Sequence, residues 1–159
     1  MNFLNYVFIN LIIIKKLSLI IVFLSLTQLF VKAQTLVQDS LAIRKTVLNY
    51  IEGWDNGDTI RMTKALHTKL AKRGIVPSQN GNGTDLVRAN YTEMISWTAS
   101  RKNLPKENSG KIVIKIYEIG KNIADVKCVS KEYIDYLHLA RIDNQWKILN
   151  AIWEFNEKK

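Results

Sequence analysis

The spacing of apolar residues changes character once along this chain, and that change limits the folds open to it. Before Pro105 the pattern is mainly helical. Ile43, Val47, Tyr50, Ile51 and Trp54 recur at three- and four-residue steps, which gathers them on one stripe of a helix running from Asp39 to about Asn56. After Pro105 the period falls to two. Lys111 to Ile119, Ile123 to Ser130, Tyr133 to Ile142 and Gln145 to Phe155 read as four strands joined by short turns. Helices first and hairpin-linked strands afterwards predict an α+β fold with a mostly antiparallel sheet, and the absence of β-α-β alternation argues against a parallel, doubly wound one.

Between the first helix and Pro105 the punctuation is local. Asp39 is placed to cap the first helix and Gly57 to end it. Asp58 or Thr59 can cap a short second helix through Leu66, and Leu70 to Val76 reads as a short strand. Pro77 to Gly83 is a turn-rich loop, after which Thr84 or Asp85 is expected to cap a third helix carrying Val87, Tyr91, Met94 and Ile95 to about Thr98.

The N-terminus reads differently from the rest. Lys15-Lys16 precedes Leu17 to Val31, which carries no charge, and Val31-Lys32-Ala33 then offers small side chains at the −3 and −1 positions. Charge, apolar core and small-residue exit in that order describe a signal peptide over residues 1–33 and an exported, periplasmic or secreted, domain over residues 34–159. The apolar run is shorter than the ~20 residues that span a bilayer. The upstream patch Leu11 to Ile14 leaves an uncleaved anchor as the alternative.

Three of the 23 basic residues leave with that leader and none of the 14 acidic ones, so 20 against 14 gives the remainder a balance of +6. The lysines are spread along strands and turns without interleaved aromatics, which reads as a solvated face and not as a nucleic-acid groove. Once the leader is cleaved no membrane contact is expected. Cys128 is the only cysteine, so no intramolecular disulfide can form, and its apolar neighbours suit a buried thiol. His67 and His138 stand 71 residues apart with no carboxylate at ligand spacing, so no metal and no cofactor is expected. Neither a phosphate loop nor a Gly-x-Ser-x-Gly elbow occurs.

Asp135 to Trp153 (Asp-Tyr-Leu-His-Leu-Ala-Arg-Ile-Asp-Asn-Gln-Trp-Lys-Ile-Leu-Asn-Ala-Ile-Trp) resembles the C-terminal signature of the putative lumazine-binding family, within the nuclear-transport-factor-2-like superfamily. Tyr50 to Asp58 resembles the end of that family's first helix. Ala65 to Gly74 resembles its segment after the second, with Thr68 where a proline is usual. The resemblance implies helices packed in a cone-shaped sheet, an apolar pocket and a homodimer. Relatives that are isomerases, cyclases or dehydratases place an acid, a histidine or a tyrosine in the cone, which makes Asp135, His67 and Tyr50 the candidate catalytic residues here. Asp55 reads as a solvated or capping residue.

Three functions stay open on these residues. Non-catalytic binding of a small, partly apolar ligand leads, followed by acid–base enzyme and protein-interaction module. The tryptophans supply flat apolar area with one donor each. The candidate ligand residues are Tyr50, Trp54, His67, Arg73, Trp97, Asp135 and Asn150, with Trp54, His67, Arg73 and Trp97 at the cavity mouth. A two-residue turn at Asp143-Asn144 would pair Arg141 with Trp146, Leu139 with Ile148, Leu137 with Asn150 and Asp135 with Ile152 on the pocket face. The other face would then carry Tyr136, His138 and Trp153, an apolar surface suited to a dimer interface.

Export makes a measurable claim. Intact-mass analysis of the exported fraction should find a chain beginning at Gln34, and a chain still carrying residues 1–33 would refute cleavage.

Overall fold

The computed structural model describes residues 3–104 and 110–157, and the chain divides into two compact units, Met1–Gln38 and Asp39–Lys159. The first unit is the opening part of helix α1 (Phe3–Asn56). The expected cleavage site and the side chains around it, residues 20–34, lie outside the described side chains. Among the described residues no helix is long and apolar enough to cross a membrane.

In the second unit, α1 from Asp39 onward buries Ile43, Val47, Tyr50 and Ile51, the stripe that its periodicity predicts. Asp39 is not a cap, because the helix runs through it. Its carboxylate instead accepts from the Arg141 guanidinium and, at 3.2 Å, from the Trp146 indole N–H, tying the helix to the last hairpin. Gly57 ends α1 at a φ of 65°, where a Cβ would press on the backbone of Lys102. Asp58 then caps α2 (Thr59–Ala65), its side chain accepting from the backbone N–H groups of Ile60 and Arg61.

Six strands form one sheet: β1 (Leu66–Pro77), β2 (Thr84–Ala89), β3 (Val113–Ile119), β4 (Ile123–Val129), β5 (Tyr133–Ile142) and β6 (Gln145–Phe155). Their order is β2-β1-β6-β5-β4-β3, with β1 and β6 parallel and every other pair antiparallel. Register shifts in β1–β6, β3–β4 and β5–β6 bend the sheet around the helices. The core between them includes Met62, Met94, Val126, Leu137, Leu139 and Ile148.

Two expectations fail between residues 66 and 98. The first strand begins at Leu66, not Leu70, with an irregularity before Ala71. The stretch Thr84–Ala89 is a strand, hairpin-paired with β1, and the helix α3 (Tyr91–Ser100) begins only after it. A complete capping box explains the later start: Asn90 accepts from the Glu93 N–H and Glu93 accepts from the Asn90 N–H. This reciprocal cap satisfies two end groups, which Thr84 or Asp85 could not do for a helix beginning at Leu86.

The last hairpin turns at Asp143 and Asn144, with φ values of 49° and 58°, the doubly left-handed turn expected there. Its register matches expectation only as far as Leu139↔Ile148. A bulge then takes up Leu149, and the pairs continue as His138↔Asn150, Leu137↔Ala151, Tyr136↔Ile152 and Asp135↔Trp153. Because side chains alternate faces, one inserted residue exchanges the two faces beyond it. Asn150 and Ile152 therefore leave the helix-facing side and Trp153 joins it.

Candidate functional site

An apolar cavity of about 200 Å³ opens on the helix-facing side of the sheet. Tyr50, Ile51 and Trp54 of α1 form one wall and Met94 and Trp97 of α3 another. Lys72 of β1, Val87 to Ala89 of β2, Tyr133 of β5 and Trp153 of β6 complete it. Its size falls below the ~300–1,000 Å³ of drug-sized sites, which suits a ligand of one or two rings.

The inner end holds three polar groups from three elements. Lys72 Nζ donates to Asp135 Oδ1 at 2.9 Å and to Tyr50 Oη at 2.5 Å, and the Tyr50 hydroxyl donates to the same Asp135 oxygen at 2.9 Å. The Lys72 and Asp135 side chains are 9% and 2% exposed, so this is a buried ion pair with a phenol closing the triangle. Burial, then the Asp135 charge, pushes the Tyr50 phenol well above its ordinary value, which keeps the proton on its oxygen. Cys128, opposite Asp135 on β4, is pushed up to about 12, first by burial and then by Asp135 and Asp55, and is inert at neutral pH.

Aromatic rings build the walls. Trp153 lies against Gly74, where any Cβ would overlap the indole, so this glycine is what lets the ring lie flat between β1 and the cavity. Tyr133 meets Trp54 and Trp153 edge-on at 6.4 and 5.3 Å. At the rim Arg101 sits 4.5 Å from the Trp54 ring and donates to the Trp54 carbonyl.

The structure brings together Tyr50, Trp54, Trp97 and Asp135 of the residues proposed from sequence. It separates the others. His67 is at the start of β1, where its Nδ1 accepts from the Lys69 N–H, and it is not among the cavity walls. Arg73 follows Lys72, is exposed and points away, level with Ile152 on the outer face. Asn150 is level with His138 on that outer face because of the Leu149 bulge. Tyr136 and His138 are exposed there as expected, but Trp153, assigned to the same face, lines the cavity. Lys72 was missed as a site residue: with Lys69 and Arg73 it reads as one local basic cluster that could attract an anionic ligand or simply border the surface. The alternation Leu70, Lys72, Gly74, all buried in β1, is the signal that sets it apart. Among the described residues no group of three His, Cys, Asp or Glu side chains converges to hold a metal.

A family profile described as putative lumazine-binding matches residues 38–154. No curated protein sequence matches the chain significantly. Solved structures share its fold. A nuclear-transport-factor-2-like protein of unknown function from Silicibacter pomeroyi aligns at a TM-score of 0.60 and 13% identity, covering 76% of this chain and 98% of that one. A similar protein of unknown function from Shewanella baltica aligns at 0.57 and 16%, covering 77% and 97%. One with a cystatin-like fold from Novosphingobium aromaticivorans aligns at 0.56 and 11%, covering 82% and 90%.

The raised Tyr50 phenol makes stability pH-dependent. Its contribution is fully present below the unfolded value, near ~10 for a phenol, and is lost as pH rises through the folded value. Tyr133 and Cys128 act in the same direction. Urea midpoints should therefore begin to fall near pH ~9, where the unfolded thiol ionises, and fall further once the unfolded phenols ionise. Tyr50→Phe should cost roughly 1–2 kcal/mol at neutral pH and flatten the alkaline fall. An unchanged alkaline slope in the Phe variant would assign the fall to the other two groups.

Proposed function

The chain belongs to the putative lumazine-binding family, and we propose that its cavity binds a small, flat, partly apolar molecule without turning it over. The observation that carries this reading is an aromatic-walled cavity of about 200 Å³ with one oriented polar cluster at its inner end. Apolar walls with few placed polar groups are what ligand sites share. Acid–base turnover is the weaker reading. Asp135 Oδ1 is engaged by both Lys72 and Tyr50, and the Tyr50 proton is committed to that oxygen. Neither candidate is poised to exchange a proton with a substrate. In this proposal the domain acts after export, the leader ending at Ala33.

A second copy of the chain is the proposed cover for the outer face. Tyr136 (40% exposed), Ile152 (50%) and Leu86 (51%) share that face with Ile75 and Val113, a concentration of apolar surface that water does not favour. The Leu149 bulge puts Ile152 where Trp153 was expected, so the interface proposed is Tyr136, His138 and Ile152.

Native mass spectrometry of protein purified from its own host should detect a bound small molecule. Re-adding that molecule should raise the melting temperature as RT ln(1 + [L]/Kd) requires. Trp97→Ala, at a half-exposed wall position, should weaken binding with little loss of stability. Protein carrying no adduct, and unmoved in melting temperature by one- and two-ring aromatics, would count against the reading.

For assembly, light scattering should give twice the chain mass for the wild type and the single-chain mass for Ile152→Lys. A wild-type monomer at micromolar concentration would remove the dimer.

A further inference from the structure

The chemistry at the inner end of the cavity narrows the ligand class, an inference that rests on the binding reading above. An ammonium carries three N–H donors. Lys72 gives one to Tyr50 Oη and one to Asp135 Oδ1, and Tyr50 gives its single proton to Asp135. The side chain is nine-tenths buried, and its nitrogen lies 5.1 Å from the Tyr50 ring centre and 5.2 Å from that of Trp153, both cavity walls. Among the described residues the remaining N–H has no hydrogen-bond acceptor, and because Lys72 lines the cavity an occupant is placed to supply one. A buried donor without an acceptor is costly, so an occupant that supplies one is favoured.

We propose that the ligand is an uncharged, planar molecule of one or two rings whose carbonyl oxygen accepts this third N–H, and that the site selects against carboxylates. Charge decides between the two. Asp135 already neutralises Lys72 one for one. A carboxylate on the same ammonium would sit about 5 Å from Asp135 in a water-poor pocket, and two carboxylates sharing such a site cannot both stay ionised at low cost. No other cation offsets this at the inner end. Arg101 is held at the rim by the Trp54 carbonyl and Glu132. Arg88 of the β2 wall is exposed and level with Arg73, whereas Lys72 is level with Ala89, so its charge stays in contact with water and away from the buried triangle. A neutral carbonyl completes the hydrogen bonding of Lys72 and adds no charge.

Three probes of the same ring size separate the terms: coumarin with a neutral carbonyl, naphthalene with none, and 2-naphthoate with a carboxylate. Isothermal titration calorimetry of the wild type should give coumarin at least roughly tenfold tighter than either of the others, the scale of a hydrogen bond to a charged group. In the Lys72→Met/Asp135→Asn variant, which removes both charges together, coumarin should approach naphthalene to within about threefold, with naphthalene binding retained. Should that variant not fold, the wild-type ratios decide alone. Naphthalene equal to coumarin, or 2-naphthoate tighter than coumarin, would overturn the ligand class while leaving the cavity a binding site. Failure of all three probes to bind would overturn the binding reading, and this inference with it.

Discussion

The Lys72–Asp135 ion pair, 2.9 Å long and nearly sealed from water, is the interaction on which the arrangement of this domain turns. Taking either charge into the core alone would cost several kcal/mol, so each side chain can be buried only where the other meets it. The two sit on β1 and β5, with β6 between them in the sheet. Their contact spans that intervening strand, and Tyr50 adds the helix to the same point. One buried triangle thus fixes the register of β1 against β6 and the rotation of α1 over both. An apolar trio of equal volume could have filled the space, often at no loss of stability. Charged groups here are better explained by what they present to the cavity than by what they add to folding.

The Leu149 bulge has the second-largest consequence. Without it, Asp135 would pair with Ile152 and an aliphatic side chain would fill the place of Trp153. With it, a large flat indole lies over Gly74 and its face comes within 5.2 Å of the Lys72 ammonium. One extra residue converts a uniform aliphatic wall into an aromatic one beside a cation. Bulges commonly re-aim side chains at sites in this way.

What the sequence disclosed follows the strength of each local signal. The buried stripe of α1 was legible because five apolar residues, Ile43 to Trp54, hold one helical face over about three turns. The last hairpin was legible because the Asp-Asn turn tolerates two left-handed residues. The stretch from Thr84 to Asn90 was not, because Thr84 and Asp85 mimic a cap and the capping box at Asn90 and Glu93 is the stronger one. The pocket face of β6 was misread for a different reason. A bulge leaves no residue-type signature at Leu149, and an alternation carried past it assigns Asn150 and Trp153 to the wrong faces. Lys72 was hidden by its neighbours, since a lysine between Ala71 and Arg73 looks solvated until its partner 63 residues away is known.

The cavity and the outer face use alternate residues of the same strands: Lys72 and Arg73 on β1, Asp135 and Tyr136 on β5, Trp153 and Ile152 on β6. Backbone is the only thing the two surfaces share at these positions. If a second copy covers the outer face as proposed, it contributes no side chain to the cavity. Its contact would bear only on the curvature that the bulge gives β5 and β6. The Lys72–Asp135 contact spans those strands, so flattening them would lengthen it and leave two buried charges less well paired.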